Sequence, residues 1–417
     1  MKVVTKKINN YDAVIFKTKK YTTIHLDYIF LNEFTLYNFI LFNLLTRYMV
    51  NTNSKYKTKK ELDDVKAEHY SFSLSLITEN YTDDLIVKAS LELINPKLVK
   101  DDYFDALMDV GCGFLFKPNF ENNRLDKKVF EVIKKEVIND FESRKKSIYR
   151  KVEDNFYESV FGDSFFTRTN CSLDEFIRIV NSITDKDIIK AHDTLINKSF
   201  KKLFVMGDIT NKNIESLKKI KFKHITNKEL VYNKLKINPI NDYVEYNFKG
   251  NQSMIKAMYE VKNFEKKDKF ILTVINKLLN RDGRILQNVF RNDLKIVYYS
   301  GSYVNNRMGY LIIEADIDAE NKDKFIDGLD AIFGQFNNKK LIEESLLICK
   351  KNIKDALYIL DENKFDIKTE FLDKYLYNYY TFEELYENVQ KISYEDIIGV
   401  LNRLERRIIH FAKATNK

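Results

Sequence analysis

The chain has 417 residues, of which 69 are basic and 61 acidic, and its formal net charge is +8 with 44% hydrophobic residues. Length and hydrophobic content predict two folded domains, and the interspersed charges argue against a polybasic nucleic-acid-binding surface. Because Cys112, Cys171 and Cys349 are odd in number and far apart, we expect neither a disulfide framework nor a cysteine metal site.

Targeting signals are absent from the sequence pattern. No segment is a continuous apolar run of about 18 residues, the length that a membrane-spanning helix requires. The apolar core and cleavage site of a signal peptide are missing from the first residues, MKVVTKKINNYDAVIF. We therefore expect a cytoplasmic protein that does not insert into a membrane.

Apolar periodicity in the first half predicts an alternation of strands and helices. The predicted strands are 21–30 and 70–76. The predicted helices are 31–50, a short helix opened by the capping box of Thr58 and Glu61, then 85–93, 103–116 and 125–152. The apolar seam of this last helix consists of Val129, Val132, Ile133, Val137 and Phe141.

Two stretches of the sequence, 172–189 and 381–398, align with each other without a gap. Each copy contains two helix starts, in which a Ser or Thr is followed three residues later by an acidic residue. These starts are at Ser172, Thr184, Thr381 and Ser393. A predicted closing strand follows each copy, at 202–206 and at 408–411.

A second repeat supports an internal duplication, because the strand and apolar helix at 21–50 resemble those at 253–279. The chain is therefore predicted to be a duplicated α+β unit. Its two domains are expected at 1–225 and 243–417. The polar segment 226–242 is the best candidate for the linker.

The stretch 281–317 is predicted to form a helix, a turn and a β-hairpin with strands at 296–303 and 310–317. Arg291 would then close the helix, and Tyr298 would rise from the next strand. The two side chains could converge on one bound carbonyl group.

This pair also has simpler interpretations. Arg291 could cap helix carbonyls while Tyr298 packs in a core. Tyr299 could replace Tyr298 if the strand register slips by one residue, since adjacent strand residues point to opposite faces.

Motifs for other chemistries are missing. The 5 histidines never come within four residues of one another, so there is no helical two-histidine site. They are His25, His69, His192, His224 and His410. Glu68 and His69 match the second half of such a motif, but Val65 stands where its first histidine would be. No glycine-rich phosphate loop or G-x-S-x-G elbow is present, and nothing nominates a nucleophile with its base.

Three segments carry a resemblance to a known family. They are 115–137, which runs from a strand-end proline into the long helix, 203–209, which is the first closing strand, and 290–302, with a seven-residue step from Arg to Tyr. In order and spacing they resemble the insulinase and pitrilysin family of zinc peptidases, and most closely its short bacterial two-domain subunits that lack a zinc site. The resemblance implies an α+β fold of two homologous domains, each a mainly antiparallel sheet packed against helices, arranged as half of a clamshell.

The departure from that family concerns the metal. Active members carry an inverted motif, H-x-x-E-H, on the first apolar helix. Here the aligned positions read Phe39-Ile-Leu-Phe42-Asn43, and the region of the expected third ligand, 138–140, reads Ile-Asn-Asp. We therefore expect no metal or cofactor in this chain and zinc in a partner subunit.

The resemblance implies a non-catalytic subunit of a heterodimeric zinc peptidase. Arg291 and Tyr298 would act in trans to a zinc-bearing homologous partner, and a peptide substrate would pair with a sheet edge. Maturation of a small peptide is the expected use. The alternative is a structural or peptide-binding protein that has no part in catalysis and could form a homodimer.

Overall fold

The computed structural model describes residues 2–81, 83–222, 235–237, 239 and 241–415. It divides into two compact units. Unit 1 comprises Met1–Ser147 and Arg168–Glu229, and unit 2 comprises Ile148–Thr167 and Leu230–Lys417. Residues 148–167 precede the expected domain boundary, yet they group with unit 2. Most of the expected linker, 226–242, lies outside the described residues.

Unit 1 is built on a six-stranded sheet in the order β1-β2-β6-β3-β5-β4. Its strands are β1 (Lys2–Ile8), β2 (Tyr11–Lys17), β3 (Thr23–Glu33), β4 (Ser73–Tyr81), β5 (Asp84–Ile94) and β6 (Phe200–Gly207). Neighbouring strands are antiparallel, except that β2 and β6 are parallel. The strands β1 and β4 form the two edges.

The helices of unit 1 pack against this sheet. They are α1 (Leu36–Asn51), α2 (Lys59–Glu68), α3 (Pro96–Val99), α4 (Phe104–Phe116), α5 (Lys127–Lys146), α7 (Leu173–Ser182), α8 (Asp185–Asn197) and α9 (Asn211–Ser216). Helix α1 begins where the Thr35 hydroxyl accepts a hydrogen bond from the Asn38 N–H. It is buried along most of its length, as its apolar composition predicts, and it supplies Leu44, Leu45 and Tyr48 to the core.

Unit 2 repeats this architecture. Its strands are β7 (Tyr243–Lys249), β8 (Ser253–Val261), β9 (Val297–Asn305), β10 (Tyr310–Ile317) and β11 (Leu404–Thr415). Its helices are α6 (Ile148–Phe161), α10 (Asp268–Leu279), α11 (Lys322–Gln335), α12 (Lys339–Ile359), α13 (Lys364–Tyr377), α14 (Phe382–Val389) and α15 (Tyr394–Leu401), with a π-helical segment at Gln287–Asp293. The sheet order is β7-β11-β8-β10-β9.

The two sheets share one topology. The order β2-β6-β3-β5-β4 of unit 1 corresponds strand for strand to that of unit 2, and β7 pairs with β11 in parallel as β2 does with β6. The helix starts at Ser172, Thr184, Thr381 and Ser393 are all N-caps. The predicted α+β fold of two homologous domains, each a mainly antiparallel sheet packed against helices, is confirmed.

One predicted helix is a strand. The segment 85–93 lies in β5, between β3 and β4. Consecutive residues such as Ile86 and Val87 are both buried, so the run does not alternate, and a short apolar run without period fits a helix or a buried strand. The flanking strands decide the outcome, because they supply hydrogen-bond partners on both sides.

The long helix predicted at 125–152 is interrupted. Ser147 adopts an extended conformation between α5 and α6, with φ −65° and ψ 121°. The predicted seam is also wrong at Val132, whose side chain is 55% exposed, whereas Ile133, Val137 and Phe141 are buried. The break lets α6 leave unit 1 and pack in unit 2.

Candidate functional site

A pocket of about 290 Å³ lies in unit 2 between the end of α10, the π-helical segment and the start of β9. It is lined by Leu279, Asn280, Leu286, Gln287, Arg291, Val297, Tyr298, Tyr299 and Ser300. The structure therefore brings Arg291 and Tyr298, which are separated by seven positions in the sequence, to the same cavity. The predicted hairpin is present, with Asn305 paired to Tyr310 at its turn.

Arg291 is presented by the π-helical segment, a geometry that is uncommon and often found at functional sites. The preceding residues Val289 and Phe290 are buried, so the segment is anchored in the core of unit 2. Arg291 itself is exposed. Within the described part of the chain its guanidinium forms neither an ion pair nor a hydrogen bond to helix carbonyls, which differs from the capping alternative.

Tyr298 stands at a β-bulge. The register pairs Tyr299 with Asp316 and Val297 with Ile317, so Tyr298 is the extra residue in β9. A bulge changes the direction of a side chain and breaks the alternation of faces. Tyr298 is 58% exposed, and its hydroxyl lies 3.4 Å from each carboxylate oxygen of Asp318. It is not a core tyrosine.

Tyr299 also lines the pocket but has different surroundings. Its hydroxyl lies against the backbone of Gly301, 2.5 Å from where a Cβ would stand on that residue. Burial, followed by the charges of Glu314 and Asp316, raises the pKa of Tyr299. Acidic side chains lie near both hydroxyls, and the two tyrosines are about equally exposed, at 54% for Tyr299 and 58% for Tyr298. They differ in that Tyr298 is the extra residue of the bulge.

The positions that align with the zinc motif do not fit a metal. On α1, Phe39 packs against the core and Phe42 is buried. Asn43 Oδ1 accepts a hydrogen bond from Arg47 Nε at 3.0 Å, and Arg47 Nη2 pairs with Asp140 Oδ2 at 2.6 Å. Arg47 thus links α1 to α5 at the position of the zinc motif. Among the described residues, no group of three or more His, Cys, Asp or Glu could hold a metal ion.

One buried group has the residue types of a hydrolase triad but not its geometry. His25 Nε2 lies 2.9 Å from Asp27 Oδ1, and Ser90 donates its hydroxyl hydrogen bond to the same carboxylate. A serine nucleophile needs its proton to be accepted by the histidine base. Since Ser90 donates to Asp27, and all three residues are buried, this cluster does not provide an activated serine.

Asn280 is a site residue that the sequence analysis missed. Its carboxamide binds the backbone of Ser302 in β9, 22 positions further along the chain. No local pattern announces such a contact, because it depends on the packing of α10 beside β9.

The comparisons with known proteins agree with this fold. Residues 182–353 match the family model described as peptidase M16 inactive domain. A conserved protein from Enterococcus faecalis is similar at 16% identity, with a TM-score of 0.82 over 100% of this chain and 99% of that one. A protease from Helicobacter pylori is similar at 15% identity, with a TM-score of 0.73 over 99% of this chain and 99% of that one. A peptidase M16 inactive domain from Pseudomonas fluorescens is similar at 14% identity, with a TM-score of 0.73 over 100% of this chain and 99% of that one. No match was found among curated proteins.

The helices were also compared with the requirements for crossing a bilayer. None of those in the described ranges is both long enough and apolar enough to span a membrane.

Proposed function

We propose that this chain, a non-catalytic homologue of M16 peptidases whose residues 182–353 match the family's inactive domain, is one subunit of a heterodimeric zinc peptidase. A homologous partner would bear the zinc and activate the attacking water. This chain would bind the peptide and present Arg291 and Tyr298 to the partner's site. The observation that carries the proposal is an arginine that forms no ion pair within the described residues and lies beside an exposed tyrosine in one pocket. The positions that align with the zinc motif hold other side chains.

The chemistry of the pair follows from what each group can donate. The Tyr298 hydroxyl would donate a hydrogen bond to the oxyanion that develops when water attacks the peptide carbonyl. Arg291 would hold a backbone carbonyl of the substrate or support the tyrosine. In the free chain the Tyr298 hydroxyl lies beside Asp318 at 3.4 Å, which is long for an O–H···O bond, so little energy opposes its transfer to a substrate.

The peptide would bind as an added strand. Edge strands present unpaired N–H and C=O groups, and an extended peptide can pair with them regardless of its side chains. The edge strand β4 of unit 1 suits this role, since in the described part of the chain no group caps the outer backbone of its residues 73–80. Because backbone pairing depends little on the peptide's side chains, binding of this kind suits the maturation of a small peptide.

The test is to reconstitute the pair. Peptidase activity would be measured for this chain, for a zinc-bearing relative from the same genome, and for their mixture. Arg291→Ala and Tyr298→Phe would be compared with Arg281→Ala, an exposed arginine outside the pocket lining, and with Tyr299→Phe. Size-exclusion chromatography would report complex formation separately from turnover.

We expect cleavage by the mixture alone. Loss of one oxyanion donor typically lowers kcat by about 10²–10³-fold, so Tyr298→Phe should fall in that range while the complex still forms. Arg281→Ala and Tyr299→Phe should retain activity. If the relative is fully active alone, or if Arg291→Ala and Tyr298→Phe cleave like the wild type, the chain is a structural or peptide-binding protein instead.

A further inference from the structure

Asn280 makes an unusual pair of hydrogen bonds with one residue of an edge strand. Its Oδ1 accepts from the Ser302 N–H at 3.0 Å, and its Nδ2 donates to the Ser302 carbonyl oxygen at 2.9 Å. Strand β9 is the last strand of its sheet, with β10 on its other side. Both backbone groups of Ser302 therefore receive from a side-chain amide the two bonds that a neighbouring strand would provide.

The contact is reinforced from α10. The Ser302 hydroxyl donates to Asn276 Oδ1 at 2.8 Å, and Asn280 Nδ2 also lies 2.9 Å from the Asn276 carbonyl oxygen. The backbone and the side chain of Ser302 are thus both held by the end of one helix. Because both the oxygen and the nitrogen of the Asn280 amide form hydrogen bonds, the orientation of this amide is fixed in the free chain.

The corresponding edge of unit 1 lacks this closure. There the helix α1 meets β4 through the hydroxyls of Thr46 and Thr78, whose oxygens are 3.3 Å apart. That contact joins two side chains and leaves the strand backbone available. The same topological edge is therefore capped at Ser302 in one unit and uncapped at residues 73–80, as far as these are described, in the other.

We infer that Asn280 acts as a one-residue substitute for a strand, which closes β9 to pairing with an extended peptide or with a second copy of this chain. Outward-facing backbone groups recur at every second residue of an edge strand, so an added strand would lose its ladder at Ser302. Edge strands that are left open add other chains, and proteins commonly block them. Because β9 does not pair with an added strand, it stays free to present Tyr298 at the pocket.

This inference is independent of catalysis in trans. It concerns the pairing capacity of β9 in the isolated chain, and it holds whether or not Arg291 and Tyr298 assist a partner. A failure of the reconstitution experiment would leave it intact, and its own failure would leave the proposed function intact.

The test uses the full chain with Asn280→Ala and a matched control, Asn292→Ala, whose exposed amide bonds only Asn288 in the described residues. Hydrogen exchange by mass spectrometry would follow 297–305, and light scattering would follow association as concentration rises. We expect the Asn280→Ala segment to exchange about 2- to 10-fold faster at low protein concentration, as loss of a hydrogen bond of ordinary strength implies. This variant should associate where the wild type and the control do not gain mass.

Two further variants keep the result interpretable. Ser302→Pro in the Asn280→Ala background removes the exposed donor without touching the β10 ladder, so it should abolish the new association. Asn280→Asp keeps the side-chain size but places a carboxylate oxygen beside the Ser302 and Asn276 carbonyl oxygens, so it should also open the strand edge, and it serves if Asn280→Ala does not fold. Unchanged exchange in 297–305, or faster exchange without any association, would overturn the inference.

Discussion

The substitution Arg403→Ala is expected to destabilise unit 2 strongly, because it removes the partner of a buried carboxylate. Asp268, at the start of α10, has a fully buried side chain. Its carboxylate accepts hydrogen bonds from Arg403 Nη1 at 2.8 Å and Nη2 at 2.7 Å, and from the Glu265 N–H at 2.8 Å. The pair ties the beginning of α10 to the turn just before β11, at the opposite end of the helix from Asn280.

The magnitude follows from the balance at Asp268. Burial by itself would raise the pKa of this carboxyl, but the hydrogen bonds from Arg403 and from the Glu265 N–H outweigh it and lower the pKa. Removing one member of a buried ion pair costs about 3–5 kcal/mol, since the remaining charge loses its compensation. In Arg403→Ala the burial effect would dominate, and the pKa of Asp268 would rise instead.

The sign of the pH dependence can be stated. In the wild type the lowered pKa contributes stability above the unfolded value, about 3.9, and this is lost as the pH falls through the folded pKa. In Arg403→Ala the raised pKa makes the ionised form costly, and protonation relieves that cost as the pH falls. The deficit relative to the wild type should therefore be largest near neutral pH and shrink toward about pH 4.

Urea unfolding followed by far-ultraviolet circular dichroism would measure this deficit. Hydrogen exchange in α10 and β11 would assign it to unit 2, since a chain of two units need not unfold in one step. Lys339→Ala is the control, because it removes an exposed ion pair with Glu395, 2.8 Å long, and should cause no measurable change. A deficit under about 1 kcal/mol, or one that does not vary with pH, would refute the reasoning.

Three other changes test the core of unit 2. Phe290→Ala removes a fully buried ring whose centroid is 4.6 Å from that of Phe325, and thermal unfolding should show a loss of about 3–5 kcal/mol. Gly328→Ala would place a Cβ 2.8 Å from the Phe290 ring, and chemical denaturation should show a cost of about 1–3 kcal/mol. Burial, with a smaller effect from Lys256, lowers the pKa of His410 to about 4. Stability should therefore fall by about 3 kcal/mol as the pH drops from about 6.5 to 4, and His410→Gln should lose this slope.

The parts of the fold that were predictable depend on short-range chemistry. The capping boxes of α14 and α15 need residues only three positions apart, and both form as the sequence indicates. The strand β10 spans the predicted residues 310–317, because it pairs with β9 across one short turn. These patterns depend on residues that are close in sequence, so the packing of distant segments changes them little.

The errors occur where distant segments decide. Whether 85–93 becomes a strand depends on β3, more than fifty residues earlier in sequence, as well as on the adjacent β4. Strands β1, β2 and β7 were not assigned from the sequence either. Each obtains its partners by sheet pairing, which local periodicity does not reveal.

The candidate site shows the same division. Spacing in one stretch nominated Arg291 and Tyr298, but not the bulge that takes Tyr298 out of the regular alternation of β9. In a regular strand, Tyr298 and Tyr299 would point to opposite faces, and a shift of one residue would exchange them. Because the bulge makes Tyr298 an extra residue, this simple exchange does not apply.

A single substitution would not create a metal site at the positions that align with the zinc motif. The substitutions Phe39→His and Asn43→His would remove an aromatic side chain from the packing of α1 and break the bond that orients Arg47. The Arg47 guanidinium would still pair with Asp140, placing a positive charge where a cation would have to bind. Since the side chains around α1 favour a metal-free arrangement, the function we propose assigns the zinc to a partner subunit.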